Sequence, residues 1–180
     1  MKSFHKVSFN YTAMFPSSIL KDESSFFQLA SKNHICDVCV SNLKLSNVDF
    51  SKKQFIACFF YNVEFVDCIF DFANFRMSLF EKCNFHNISF KHSNIQFSSF
   101  ASSCFECCNF QDSELINNNF SGITAEDVIF DNSDLSSSYF VEANIEKANF
   151  ENCDLTASIF IKAKITLASF KQSNKNYAIF

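Results

Sequence analysis

The chain has 180 residues, with 15 basic and 19 acidic side chains, 27 Phe, no Trp, and a single Gly and a single Pro. Such scarcity of Gly and Pro excludes recurring Gly-dependent turns and a Gly-rich phosphate loop, and no stretch approaches the ~18 consecutive apolar residues of a membrane-spanning helix. The opening Met1-Lys2-Ser3-Phe4-His5-Lys6 leads into no apolar leader and the nine Cys are odd in number, which predicts free thiols in a reducing cytoplasm.

Residues 1–33 are predicted to form an N-terminal cap or a degenerate first coil of the repeat that follows. Phe4 and Phe9 are five apart but out of phase with Phe15 and Leu20. Between Pro16 and Ala30, the positions of Ile19, Leu20, Phe26, Phe27 and Ala30 predict a short amphipathic helix begun at Pro16. Solenoids need such end caps.

Residues 34–180 carry a different pattern. From Ile35 to Phe170 every fifth residue is apolar, 28 in a row, comprising 18 Phe, nine Ile, Leu or Val, and Ala125. A period of five is neither the 3.6 of a helix nor the 2 of a strand, so an internal repeat accounts for it. Two residues before each of these positions the side chain is Ala, Ser, Cys or Val in 22 of the 28 units, with Lys53 and Asn118 breaking the rule. Five Cys (Cys58, Cys68, Cys83, Cys108, Cys153) sit in this small slot, where a thiol acts as a compact apolar filler.

Units such as Ala143-Asn144-Ile145-Glu146-Lys147, Ala148-Asn149-Phe150-Glu151-Asn152 and Ser133-Asp134-Leu135-Ser136-Ser137 resemble the pentapeptide-repeat family. The resemblance implies an all-β fold, a right-handed quadrilateral β-helix with four units per coil, so that residues 20 apart stack about 4.8 Å from one another. The sequence carries that longer period. One column reads Phe50, Phe70, Phe90, Phe110, Phe130, Phe150 and Phe170; the column two faces away reads Val40, Phe60, Phe80, Phe100, Phe120, Phe140, Phe160 and Phe180. The other two mix Phe with Ile and Leu and turn aliphatic toward the C-terminal half. The Phe columns are the predicted core, with small residues filling the space between rings.

Chemistry is sparse. Cys36 and Cys39, and Cys104 and Cys107, have CxxC spacing, but the repeat frame sends them in different directions, so no metal site is predicted. The four His are scattered, no nucleophile has a partner base, and a convex rod lacks an enclosed pocket; neither catalysis nor a cofactor is expected. Charge is the informative feature. Segment 106–154 holds 11 acidic residues against Lys147 alone. Glu106, Glu126 and Glu146 fall in one outward column, with Asp127 beside them; Asp131 and Glu151 share a second, and Glu114, Asp134 and Asp154 a third. Over ~12 Å of axis the belt carries a charge density close to that of duplex DNA, about seven charges in that length. The other reading is a solvated face that keeps an aromatic rod soluble. On the remaining face Tyr139, Val141, Ile159 and Ile161 cluster as an apolar interface candidate, with Phe59, Tyr61 and Leu79 near the other end.

By resemblance, family members with DNA-like acidic surfaces bind DNA gyrase and protect it from quinolones or peptide toxins, which implies a non-catalytic DNA mimic that binds topoisomerase and not nucleic acid. The alternative is a secreted bacterial effector or scaffold, translocated without a cleavable signal, that holds other proteins along the rod. Phe180 ends the repeat in register with an open edge, which predicts a C-terminal homodimer; the rival is a longer chain whose further segment caps that end, and the Tyr139 and Val141 face is the other dimer surface.

Overall fold

The computed structural model describes residues 19–20 and 22–180; Phe4, Phe9, Phe15 and Pro16 lie outside them. Described residues form a parallel β-solenoid in which every registered pair is 20 residues apart. The first wall stacks His34–Cys36, Gln54–Ile56, Asn74–Arg76 and Asn94–Gln96, and continues through bridges linking Asn94, Glu114, Asp134 and Asp154. The second wall begins with β1 (Ile19–Leu20), runs through Cys39–Ser41, Phe59–Tyr61 and Leu79–Glu81, and extends by bridges to Ile179. The third wall is a sheet of seven three-residue strands from Lys44–Ser46 to Lys164–Thr166. Bridges alone build the fourth, from Asp49 to Ser169.

This register points the central residue of each unit inward. All of these residues from Ile35 to Phe160 are buried. On the second and fourth walls Phe rings stack from coil to coil at 4.5 to 5.3 Å, as in Phe90–Phe110 and Phe100–Phe120. Rings on adjacent walls meet edge-on, as Phe105 and Phe110 do at 5.7 Å, which satisfies the ring quadrupole in both directions. Phe170, a predicted core position, is only partly buried.

The small slots do more than fill space. Ser113 Oγ donates to the Phe90 carbonyl (2.8 Å) and accepts from the Ser93 backbone N–H (3.1 Å); Ser133 and Ser138 serve the coil before them in the same way. The slot thiols, read from sequence as apolar filler, also donate to carbonyls of the preceding coil, Cys153 to Phe130 at 3.0 Å for example. A hydroxyl or thiol here gives the backbone groups of the corner a buried partner; where the slot of the next coil is Ala the N–H and carbonyl pair with each other instead, as Ala143 N–H does with the Phe140 carbonyl (3.2 Å). Both exceptional slots follow the same logic. Asn118, fully buried, accepts from Ser98 N–H (2.9 Å) and donates to the Ile95 carbonyl (2.6 Å). Lys53 reaches from its slot to the Lys32 carbonyl (3.1 Å) beyond the N-terminal helix.

Two expectations are corrected. The helix, α1, spans Glu23–Ala30 and does not begin at Pro16: Ile19 and Leu20 are extended and paired with Cys39 and Val40. The Asp22 carboxylate accepts from Ser25 N–H (2.8 Å) and so starts the helix there. An eight-residue helix is marginal alone, and α1 is held by Phe26, whose buried ring packs edge-on against Phe50 and Phe60 at 5.9 and 6.4 Å. Phe27 faces outward instead. Second, scarcity of Gly did not exclude left-handed turns. Besides Gly122, 27 non-Gly residues have φ between 51° and 63°, one at the end of each unit. Asn and Asp, which tolerate this region, occupy 11 of the 27. Hydrogen bonds between coils lock the rest: the N–H of the left-handed residue donates to the carbonyl 19 positions on, as in Lys52 to Asp71 (2.9 Å) and Phe72 to Lys91 (2.9 Å).

Candidate protein-binding surface

Three positions in each unit project outward, so the surface is a set of columns with the pitch of the coil. The predicted acidic residues fall on three walls, and ion pairing divides them. On the third wall Glu106 meets His86 at 3.0 Å. Lys147 pairs with Glu126 at 2.9 Å and lies 3.9 Å from Asp127, and both carboxylates, Glu126 by its hydrogen bond first, push the Lys147 pKa up. Glu146 adds to the field at that lysine. On the fourth wall Glu151 accepts from Ser169 (2.5 Å) and lies 3.4 Å from Lys171; the Ser169 hydrogen bond, with that lysine, lowers its pKa. Asp131 accepts from the Glu151 backbone N–H (2.9 Å).

The first wall differs. Glu114 accepts from Asn94 (2.5 Å), Asp134 from Ser136 N–H (2.9 Å), and Asp154 from Thr156 N–H (2.9 Å) and Asn174 (2.8 Å). Hydrogen bonds from Thr156 and Asn174 lower the Asp154 pKa. Among the described residues none of these three carboxylates forms a salt bridge. With Asp112, held by Asn132 (3.0 Å) on the adjoining corner, and Asp131 on the fourth wall, they make an acidic arc without a salt bridge among the described residues. Sequence reasoning grouped Glu114, Asp134 and Asp154 in one column but passed over Asp112, whose corner slot was readable from the repeat.

The apolar candidates also separate. Tyr139 and Ile161 are exposed and Val141 and Ile159 half-buried on the second wall, whereas Phe59 is buried and Tyr61 and Leu79 half-buried at its other end. Sequence reading missed a further set: Phe72, Met77 and Phe97 are 55%, 58% and 54% exposed, all in left-handed corner slots flanking the first wall. Phe72 stacks on His92 at 4.8 Å. A bulky apolar residue in the fifth slot was the signal.

Among the described residues no three His, Cys, Asp or Glu side chains gather as a metal site, and no helix is long and apolar enough to cross a membrane. Cys36, Cys104 and Cys107 are exposed, while Cys39 and Cys108 are buried, so each CxxC pair is split or spread over the surface. A shallow groove of about 550 Å³ along the third corner is lined by Asp67, Ile69, Asn87, Lys91, Cys107 and Asp127, without a His to act as base. At the C-terminal end the Lys175 ammonium lies over the rings of Phe170 and Phe180 at 4.8 and 4.5 Å, shielding part of the edge expected to be open.

The profile "Pentapeptide repeat region" matches residues 103–180, and "Pentapeptide repeats (8 copies)" matches residues 68–106. No curated protein matches the chain. Solved structures with a similar trace include the pentapeptide repeat protein Rfr23 from the cyanobacterium Cyanothece 51142, at 12% identity and TM-score 0.49 over 87% of this chain and 97% of that one. Another is QnrB1, a plasmid-mediated fluoroquinolone resistance protein, at 17% identity and TM-score 0.38 over 88% and 91%. A thylakoid-lumen protein of Arabidopsis thaliana aligns at 22% identity and TM-score 0.34 over 57% and 64%. With its five-residue period, its 20-residue register and both profiles covering residues 68–180, the chain belongs to the pentapeptide-repeat family.

Proposed function

We propose that this protein is a non-catalytic, cytoplasmic rod that presents a short imitation of duplex DNA to a basic groove, with a type II topoisomerase, DNA gyrase, as the partner that family resemblance offers. The observation that carries the reading is the arc of Asp112, Glu114, Asp131, Asp134 and Asp154, five carboxylates without a salt bridge among the described residues. From Glu114 to Asp154 is two coil steps, ~10 Å, over which duplex DNA carries about six charges. The third-wall acids Glu106, Glu126, Asp127 and Glu146, with Glu151, extend the field, but Lys147 partly neutralises Glu126 and Asp127, and Lys171 partly neutralises Glu151.

The test is inhibition of gyrase supercoiling and relief of quinolone-stabilised cleavage, comparing the wild type with Glu114→Gln/Asp134→Asn/Asp154→Asn. These changes remove charge but keep acceptor oxygens. Wild-type binding at low salt that weakens as salt rises, with at least a tenfold loss in the triple variant, supports the proposal. Absence of binding at low salt, or equal binding by both proteins, overturns it. The exposed Tyr139 and Ile161 favour a second reading, a scaffold or secreted effector that grips a protein through the second wall. In that case Tyr139→Asp, and not the triple variant, abolishes partner capture.

A further inference from the structure

The first wall changes character at its midpoint. Its leading outward column reads Gln54, Asn74 and Asn94, then Glu114, Asp134 and Asp154: amide donors in one half, carboxylate acceptors in the other. The corner column beside it reads Lys52, Phe72 and His92, then Asp112, Asn132 and Asn152. Arg76, the single Arg of the chain, stands exposed on the donor half, 3.3 Å from Gln96.

A two-fold axis lying along the strands reverses the rod direction but keeps each column opposite itself. Placed between Asn94 and Glu114, such an axis sets Asn94 against Glu114 of a second copy, Asn74 against Asp134, Gln54 against Asp154, and His92 against Asp112. The copy's Asp134 also comes within one column of Arg76. Each carboxylate has spare capacity, since an ionised carboxylate offers about four lone-pair sites and the hydrogen bonds to Asp134 and Asp154 use Oδ1 alone. The exposed Phe72, Met77 and Phe97 line the two edges of this wall. They sit in the left-handed region, where a bulky L-residue costs roughly 1–2 kcal/mol. Under the same operation Phe72, Met77 and Phe97 meet Asn132, Ser137 and Asn117 of the copy, so they add contact area at the edges and no charge pairing.

We infer that the first wall is a self-complementary surface through which two copies associate antiparallel, each donor half on the other's acidic half. Asp71 and Asp131 are the like-charged pair set directly opposite under this operation, and both belong to the fourth wall, round the corner from the contact; Glu114 lies one coil step, ~4.8 Å along the rod, from the copy's Glu114, a repulsion that further weakens the association. Six coils of ~4.8 Å and a wall about four strand residues wide give ~400 Å² per copy. This is below the ~1,200 Å² total of a stable interface, so the association is weak and reversible. It does not depend on topoisomerase binding; it covers Glu114, Asp134 and Asp154 of the acidic arc and so competes with any basic partner.

Sedimentation velocity from about 10 μM to 1 mM, at low and high salt, measures it. The wild type is expected to dimerise across this range and to return to monomer in salt. Arg76→Glu and Asp134→Arg should each weaken dimerisation about tenfold. The double variant Arg76→Glu/Asp134→Arg should restore it, with far-UV circular dichroism confirming the fold of all three. A wild type that stays monomeric to 1 mM, or a dimer indifferent to both charge reversals, overturns the inference. So does a double variant that is no better than the singles.

Discussion

Replacing Phe110 by Ala removes a ring that touches no solvent and is gripped on four sides. It stacks on Phe90 at 4.5 Å and Phe130 at 5.1 Å, and meets Phe105 and Phe120 edge-on at 5.7 and 6.4 Å. A Phe buries ~150–250 Å², so at ~25 cal/mol/Å² the side chain contributes ~4–6 kcal/mol, of which the alanine methyl recovers roughly 1. The walls cannot collapse into the void, because the rings above and below are fixed by their own coils and a residual cavity adds to the cost. The expected loss is therefore about 4 kcal/mol. With a urea m-value of about 2 kcal/mol/M, that shifts the unfolding midpoint by about 2 M. Phe97→Ala is the matched control: the same atoms are deleted from an exposed corner, where the cost should stay within about 0.5 kcal/mol. Urea titrations followed by far-UV circular dichroism, at dilution that keeps the protein monomeric, decide it. A midpoint shift under about 0.5 M for Phe110→Ala, or equal shifts for both variants, would refute the assignment of inward and outward positions.

Ser133→Ala takes from the Ser113 N–H and the Phe110 carbonyl the buried hydroxyl that pairs both and should cost about 1–3 kcal/mol in the same assay; a neutral outcome would show the slot to be simple filler. Burial pushes Cys58, Cys83, Cys108 and Cys153 up to about 12, so at pH 8 only the exposed Cys36, Cys104 and Cys107 should react quickly with an aromatic disulfide reagent. All nine should react in guanidinium, and more than three fast thiols in the native protein would contradict the burial. Hydrogen bonds hold Asp22, Asp49, Glu151 and Asp154 below their ordinary carboxylate values. Their contribution to stability is complete above the unfolded pKa of about 4 and is lost as pH falls through the lowered folded values. Melting temperature should therefore drop below about pH 4, less so in Asp154→Asn, and a profile flat to pH 2 would argue against it.

Much of the fold was legible because one rule repeats without interruption: the period of five places the core, and the 20-residue columns place each coil on the last. Where the chain departs from that rule, the sequence could not speak. The start of α1 depends on the Asp22 carboxylate reaching Ser25 N–H, and on Ile19 and Leu20 finding a strand partner 20 residues away, neither of which amphipathic spacing encodes. Lys53 and Asn118 were visible as violations, but their reasons are backbone carbonyls on another coil. The acidic columns were correct as positions. Their division into neutralised and free groups was not readable, since Lys147 contacts Glu126 one slot off the column, and only side-chain geometry reports that.

The unbroken 20-residue register has a consequence for how such a chain can change its length. Deleting five residues would leave every central residue pointing inward, and so keep a core, yet would rotate everything beyond the lesion by one wall. A five-residue loss between Phe97 and Asp112 would carry Glu114, Asp134 and Asp154 from beneath Asn94 to another side of the rod. Removing or duplicating 20 residues preserves both core and facing, changing only the axial distance between the two halves of the first wall. Surface function in this molecule is thus protected modulo 20 while folding is protected modulo 5, and three of every four unit-sized insertions can be silent for stability but disruptive for recognition.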